Sequence, residues 1–351
     1  MEEGPPSSPP PEAPPHPGAS SFIFPPTEAN LRFFAKALCR GMPVAIPTET
    51  VYGLAAIATN PDACRAIFTI KGRPFLDPLI VHVRDDAMAR QFAVWNPAAD
   101  ALAAKFWPGP LSIILPKKSG IPPIVTAGRD TVALRAPSHW VPRQLIEQIG
   151  LPLAAPSANP FGYISPSLAV HVAESFGPLV PYVIDGGPCE VGLESTIVDL
   201  SDPDHVVLLR PGAISAEAIS STLDLPVASL TSPANGTTTA LIAPGTMASH
   251  YSPKTPLSLF SSHPSAPPTP TEAVVFLSRP STSDFPRQTF WLSERGEDEV
   301  IGRSLFALLR SLDKMGWSRI HCQTPTGALS GTRLAIGDRL ARAAADKPTS
   351  P

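Results

Sequence analysis

Four cations, Lys71, Arg73, Arg135 and Arg210, stand in or beside turns that also carry hydroxyls or an amide: Thr48, Thr50, Ser138, Ser157, Asn159, Ser195 and Thr196. Guanidinium forks match the oxygens of phosphates and carboxylates, and hydroxyls with backbone N–H groups near glycine complete such a site. The set suits an oxygen-rich anion, and a nucleoside triphosphate meets that demand. Taken singly, each Ser or Thr is better explained as a turn or cap residue. Lys71 alone would simply complement the C-terminal end of a helix. It is the recurrence of these groups at so many strand ends that favours a site. His82, closing an apolar strand, reads equally as a hydrogen-bonded core histidine. His139, just past Arg135, reads as a loop histidine.

The elements that must position these groups begin with the stretch Pro47–His82. A polar turn at Pro47–Thr50 follows the apolar run Val44–Ile46, a helix leads to Lys71, and a second apolar run ends near His82. Asn60, Pro61 and Asp62 form a helix start, with an N-cap, a first-turn proline and an acid facing the dipole, and Gly72 can take the left-handed conformation just past the end. Lys71 and Arg73 therefore emerge from what reads as a surface turn. An earlier helix is expected over Ala29–Arg40. Further strands are expected at Leu111–Leu115, Thr131–Leu134, Leu153–Ala155, Tyr182–Ile184, Ser195–Leu200 and Val206–Leu209, with a helix over Ser167–Phe176. Mixed strands and helices with short connections imply an α/β sheet domain.

After Ile214–Leu223 the composition turns to Ser, Thr, Ala, Pro and Gly, and a linker is expected. A smaller α/β unit follows, with strands at Val274–Leu277 and Ile320–Gln323 and helices over Val300–Met315 and Thr332–Ala344. Leu305, Leu308, Leu309 and Leu312 supply its core face, and the loop His263–Thr271 reads as mobile. The expected boundaries are a disordered Pro-rich tail over 1–21, a catalytic domain over 22–215, a linker folding over the site across 216–253, a small C-terminal domain over 254–345, and a tail over 346–351.

The net charge of −3 excludes a generally basic nucleic-acid binder, so the anion site must be local. The scattered Cys39, Cys64, Cys189 and Cys322 form no C-x-x-C pair and indicate neither a zinc site nor a disulfide framework. The N-terminus has no signal-peptide pattern, and charges, Pro and Gly interrupt every apolar run before it reaches membrane-span length. A soluble, cytoplasmic protein is expected.

PTETVYGL, K-x-R-P with the following D-P-L-I-V-H, P-G-P-L-S, L-R-A-P, APSAN, Ser165-Pro166-Ser167, L-E-S-T-I-V-D and L-R-P-G, in this order, resemble the threonylcarbamoyl-AMP synthase family with its YrdC-like domain. The P-G-T-M-A-S-H-Y-S-P segment and the small C-terminal unit, with its G-T-R-L-A-I-G-D-R-L run, are similar to the two-domain members, and the likeness covers about Phe22 to Ala345. The resemblance implies a twisted mixed-sheet YrdC-like domain followed by a Rossmann-like α/β domain. It implies a nucleotidyltransferase that joins L-threonine, bicarbonate and ATP into threonylcarbamoyl-AMP and pyrophosphate, with magnesium on the triphosphate and no protein metal site. The product would feed a separate transferase complex that modifies tRNA; direct tRNA binding and membrane association are not expected.

By the same likeness Lys71, Arg73, Asp77, Thr131, Asn159, Ser167, Arg210 and Tyr251 bind the nucleotide, Lys71 and Arg73 being catalytic. Thr50, His82, Arg135, Ser157 and Ser195, with Thr196 as an alternative to Ser195, hold threonine. Three departures stand out: Asp77 replaces a frequent Asn and brings negative charge near a phosphate site, and Ser112 and Ser167 each replace a common Thr while keeping the hydroxyl. The competing reading is a nucleotide- or RNA-binding regulatory module that keeps the cationic cleft without turnover. A third is carbamoyl transfer, as in a larger maturation enzyme sharing this domain, whose further domains are not recognised here.

Overall fold

Short apolar segments alternate with amphipathic helices through the first two-thirds of the chain, and they pair into one mixed sheet of eleven strands. The computed structural model describes residues 22–229, 250–264, 267–281 and 286–345. The expected tails, the middle of the linker (230–249) and part of the His263–Thr271 loop lie outside them. The strands are β1 (Ile23–Phe24), β2 (Val44–Ile46), β3 (Gly53–Ile57), β4 (Ile80–His82), β5 (Leu111–Pro116), β6 (Thr131–Arg135), β7 (Leu153–Ala154), β8 (Val183–Ile184), β9 (Thr196–Asp199), β10 (Val206–Arg210) and β11 (Val227–Ser229). The helices around them are α1 (Glu28–Cys39), α2 (Pro61–Lys71), α3 (Asp86–Ala89), α4 (Pro97–Phe106), α5 (Pro123–Thr126), α6 (Trp140–Ile149), α7 (Ala169–Phe176) and α8 (Ala216–Leu223). The spatial order is β1-β8-β2-β3-β7-β4-β6-β5-β9-β10-β11. Parallel pairs such as β4–β6 and β5–β9 alternate with antiparallel ones such as β5–β6 and β9–β10.

The stretch Pro47–His82 differs from the expected strand, helix and strand. Gly53–Ile57 forms β3, antiparallel to β2, so the polar Pro47–Thr50 turn lies in a loop between neighbouring strands. Small residues hide this strand, because Gly-Leu-Ala-Ala carries little β-branched or alternating signal. Helix α2 forms as its ends predict: Asn60 accepts from the Asp62 and Ala63 N–H groups, and Gly72, at φ 61°, donates to the Phe68 and Thr69 carbonyls. Lys71 and Arg73, however, are buried rather than on a surface turn. The Lys71 ammonium reaches under the loop after β7, and the Phe161 N–H bonds the Lys71 carbonyl. Helix α7 begins at Ala169, two residues later than expected. The chain stays with the large sheet past residue 215, since β11 pairs parallel to β10 within the span expected to be linker.

The second domain is a four-stranded parallel sheet, β12 (Leu257–Phe260), β13 (Glu272–Ser278), β14 (Thr289–Ser293) and β15 (Arg319–Gln323), in the order β12-β15-β13-β14. Helices α9 (Asp298–Lys314) and α10 (Gly331–Ala344) pack on it through Ile301, Leu305, Leu309, Leu312, Ile336 and Leu340. Leu308 is only partly buried.

Two buried arginines fasten this domain to the large one. Arg310 of α9 donates to the Ile164 and Ser165 carbonyls, at 2.5 and 3.3 Å, and to the His171 carbonyl. Arg339 of α10 donates to Glu194 at 2.8 Å and to the Pro211 carbonyl at 3.0 Å. Buried guanidinium groups must have every N–H satisfied to offset desolvation, and backbone carbonyls at loop ends supply those acceptors. No described helix is long and apolar enough to cross a membrane.

Candidate functional site

The strand register brings the predicted groups to one side of the large sheet. His82, the last residue of β4, pairs with Arg135, the last of β6, and with Leu153 at the start of β7. Gly53 at the start of β3 bridges to Ser157, which places Thr50 near the loop after β7. Leu111 of β5 pairs with Thr196 at the start of β9, and β10 ends at Arg210. These ends enclose a cavity of about 50 Å³ lined by Thr50, Arg73, His82, Arg135, Ser157, Ser195 and Arg210, with Glu194, His250 and Tyr251 on the side of the second domain. The other lining residues, among them Val51, Ile80 and Ala155, are apolar.

Arg135 is held on three sides: Nη1 donates to the Thr50 hydroxyl at 2.9 Å, Nε to the Gly109 carbonyl at 3.3 Å, and Nη2 ion-pairs with Glu49 at 2.7 Å. Burial works to raise the Glu49 carboxyl, but the Arg135 guanidinium outweighs it and the group stays below the usual carboxylate range. Arg210 donates through Nε to the Ser195 carbonyl and through Nη2 to the Ser195 hydroxyl, at 3.0 and 3.1 Å. Arg73 donates to the Asp77 and Pro78 carbonyls and ion-pairs with the Asp77 carboxylate at 2.9 Å. Asp77 therefore serves Arg73 rather than facing the cavity. Burial raises its carboxyl, opposed by Arg73, Lys71 and Arg210.

Lys71 does not line the cavity. Its ammonium donates to the Ser157 and Asn159 carbonyls at 2.6 and 2.5 Å, which fixes the loop that presents Ser157. Burial, and then the Arg73 charge, push its pKa well below the usual lysine range. Burial, with Arg135 adding, holds His82 neutral with its pKa pushed down to about 3, and its Nδ1 has no hydrogen-bond partner among the described residues. His250 is likewise pushed well down by burial and by Arg73, Lys71 and Arg210.

Tyr251 sits at φ 64°, stacks on Phe306 with ring centroids 5.7 Å apart, and has the Arg339 guanidinium 5.2 Å from its ring centroid. Its hydroxyl has no hydrogen-bond partner among the described residues. The left-handed conformation costs a non-glycine residue about 1–2 kcal/mol, so packing from the second domain holds it there.

Besides Lys71 and Asp77, four further predicted residues stand apart from the cavity lining. The Asn159 amide donates to the Pro160 and Tyr163 carbonyls and shapes the loop. Ser167 lies in a separate interdomain cleft of about 410 Å³ with Trp291 and Arg303. Thr131 begins β6, at the opposite end from Arg135. The Thr196 hydroxyl donates to the Ile214 carbonyl and accepts the Ile214 N–H, an internal pin rather than a group facing the cavity. The reading of single residues passed over Glu49, Glu194, His250 and Arg339. A buried arginine needs an acid beside it, and Glu49 and Glu194 stand within the same short motifs as Thr50 and Ser195, which is the signal that points to them.

The fold and cleft define a two-domain α/β protein whose first domain converges buried cations and hydroxyls on a small polar ligand site, with the second domain packed over one wall. Residues 36–212 match the Sua5, YciO and YrdC family model described as "Telomere recombination", and residues 214–345 match the model of the threonylcarbamoyl-AMP synthase C-terminal domain. The chain belongs to this Sua5/YciO/YrdC family. It is 46% identical over 193 residues to the threonylcarbamoyl-AMP synthase of Pyrococcus abyssi, covering 55% of this chain and 56% of that protein. With the Bacillus subtilis protein of the same name it is 43% identical over 223 residues, covering 63% and 64%. The matched segments thus span less than two-thirds of these relatives' lengths. The crystal structure of P. abyssi Sua5 complexed with L-threonine superposes with a TM-score of 0.80 at 34% identity, covering 92% of this chain and 97% of that one.

Proposed function

We propose that the protein is an L-threonylcarbamoyladenylate synthase, a nucleotidyltransferase that makes threonylcarbamoyl-AMP and pyrophosphate from L-threonine, bicarbonate and ATP. The observation that carries the reading is the meeting of a carboxylate-matching fork, Arg135 with Thr50, and two further guanidinium groups, Arg73 and Arg210, in one buried cavity. Likeness to a Sua5 crystallised with L-threonine supports the threonine half.

In this reading Arg135 takes the threonine carboxylate, with Thr50, Ser157, Ser195 and the neutral His82 around the rest of the amino acid. The threonine amine attacks the carbon of bicarbonate, water leaves, and an N-carboxylate forms. That carboxylate then attacks the α-phosphorus of ATP, the bond to the β-phosphate oxygen breaks, and pyrophosphate departs. Arg73 and Arg210 carry the charge that grows on the phosphates, with Ser167, Asn159 and Thr131 proposed to complete the nucleotide site. No protein nucleophile is required. Ordering the reactants supplies about 7–11 kcal/mol, and fixed positive charge in a dry site supplies the remainder. Exclusion of water by His250 and Tyr251 protects the carbamate.

Magnesium enters as part of the ATP complex. Among the described residues no group of three or more His, Cys, Asp or Glu is disposed to hold a metal, and Asp77 and Glu194 are engaged by Arg73 and Arg339. A tRNA threonylcarbamoyl transferase complex in the cytoplasm is the proposed consumer of the product. The RNA-binding alternative needs cations displayed to a polymer, whereas Arg73, Arg135 and Arg210 are each at most 7% exposed.

Pyrophosphate release measured with ATP, bicarbonate and a panel of amino acids tests the reading. Release that requires L-threonine is expected. RNA binding without any amino-acid-dependent turnover overturns it.

A further inference from the structure

Ser112 lies in β5 directly behind Ser195 and is fully buried, with its hydroxyl oxygen 2.8 Å from that of Ser195. The distance alone permits either oxygen to donate, so the count of partners decides. A serine hydroxyl has one proton and two acceptor positions. Ser195 already accepts from Arg210 Nη2 at 3.1 Å. The Ser112 hydroxyl has no other hydrogen-bond partner among the described residues. If Ser195 donated to Ser112, the Ser112 proton would be buried without an acceptor, at the full desolvation cost of an unmade hydrogen bond. If Ser112 donates to Ser195, its proton is satisfied and both acceptor positions of Ser195 are filled, one by Ser112 and one by Arg210. The Ser195 proton is then left for the cavity that Ser195 lines.

We infer that Ser112 is a positioning residue that sets the polarity of Ser195, so that Ser195 presents a hydrogen-bond donor to the substrate and requires an oxygen acceptor there rather than an ammonium. Resting on the proposed function, this assigns to Ser195 a carboxylate or hydroxyl oxygen of L-threonine, or the N-carboxylate oxygen made from it, and leaves the threonine amine to other walls of the site. Arg210 holds the Ser195 oxygen from the phosphate side, so one hydroxyl joins the two halves of the cleft. Removing the Ser112 hydroxyl opens an acceptor position on Ser195 and lets its proton turn away from the ligand.

The test compares Ser112→Ala and Ser112→Thr with the wild-type chain, reading the KM for L-threonine, the KM for ATP and, separately from turnover, L-threonine affinity by calorimetry. Ser112→Ala is expected to raise the threonine KM and dissociation constant about fivefold, the worth of one net hydrogen bond, with the ATP KM unchanged. Ser112→Thr, which restores the hydroxyl, is expected to return both to within about twofold of wild type. Thermal melts report folding. A folded Ser112→Ala with wild-type threonine affinity overturns the inference, as does a loss that Ser112→Thr shares or one that falls equally on ATP. If Ser112→Ala does not fold, Ser112→Thr carries the test, because a hydroxyl at this position must then preserve wild-type threonine affinity. A wild-type chain that binds threonine but releases no pyrophosphate overturns the proposed reaction and leaves the binding comparison to judge Ser112.

Discussion

Arg339 Nε lies 2.8 Å from a carboxylate oxygen of Glu194, and the two residues belong to different domains. Glu194 lines the cavity beside Ser195 and also accepts from the Ser165 hydroxyl, while Arg339 sits in α10 against the Tyr251 ring. The second domain is thereby wired to the ligand site through one buried ion pair rather than resting on it through apolar contact alone.

Arg339→Ala is accordingly expected to do two things. It leaves Glu194 buried without its main counter-charge, which typically costs about 3–5 kcal/mol, and it removes the support beneath Tyr251. A lower melting temperature together with a higher KM for ATP is the expected pair of results. A variant that melts like wild type would show that Glu194 finds another partner and that the domains are not joined here.

Lys71 was expected to bind the nucleotide from a surface turn, yet it is buried and its contacts differ from those of a helix-end lysine there. Its ammonium spends two donors on the Ser157 and Asn159 carbonyls, so in the proposed site it would act through the loop it holds. Lys71→Ala is expected to lower kcat/KM by about 100-fold, comparable to losing one preorganised donor, and to lower the melting temperature as well. Thermal melts beside pyrophosphate release check this, and an unchanged melting temperature would restore the surface-turn reading.

Much of the site was readable because strand-end turns in α/β sheets carry polar groups that the buried strands cannot, so Thr50, Arg73, His82, Arg135, Ser157, Ser195 and Arg210 could be collected from local pattern and resemblance. Less legible was which of them face ligand and which brace the others. Asp77 and Thr196 carry the right chemistry but spend it internally, on Arg73 and on Ile214. That distinction depends on long-range pairing. The same limit hid β3, whose small residues signal a strand only once β2 and β7 flank it.

His82 and His171 make the stability depend on pH. Burial holds both neutral in the folded protein, each with its pKa pushed down to about 3, and neighbouring cations add to the shift. An unfolded histidine titrates near about 6.5, so between these values the unfolded chain binds more protons. Stability is therefore full above the unfolded value and falls as pH drops toward the folded one, by about 1.4 kcal/mol per pH unit for each histidine. His171→Asn keeps an acceptor for the Ser167 N–H, which His171 Nδ1 now accepts at 3.3 Å, and removes the titration. Denaturant unfolding at pH 6, 5 and 4 is expected to show a shallower fall for this variant. An identical fall in both proteins would mean that His171 gains its proton without cost to the fold.

Asp77 places a buried carboxylate beside Arg73, its one ion-pair partner among the described residues. The pair lies in a dry setting, where Coulomb interactions are screened far less than in water, so the acid draws down the positive potential that Arg73 offers to phosphates. Asp77→Asn removes the charge while leaving the two backbone carbonyls, of Asp77 and Pro78, on the guanidinium. Two opposing effects are expected from one substitution. Stability should fall by about 3–5 kcal/mol, since a buried guanidinium loses its counter-charge, and the KM for ATP should fall by about fivefold, since Arg73 now answers the phosphates alone. The threonine KM should stay where it is, because Arg135 has its own acid in Glu49. Titrating ATP at several salt concentrations separates charge from shape: the gain in ATP affinity should shrink as salt rises. An ATP KM that rises in Asp77→Asn would mean that Asp77 aligns Arg73 rather than restrains it.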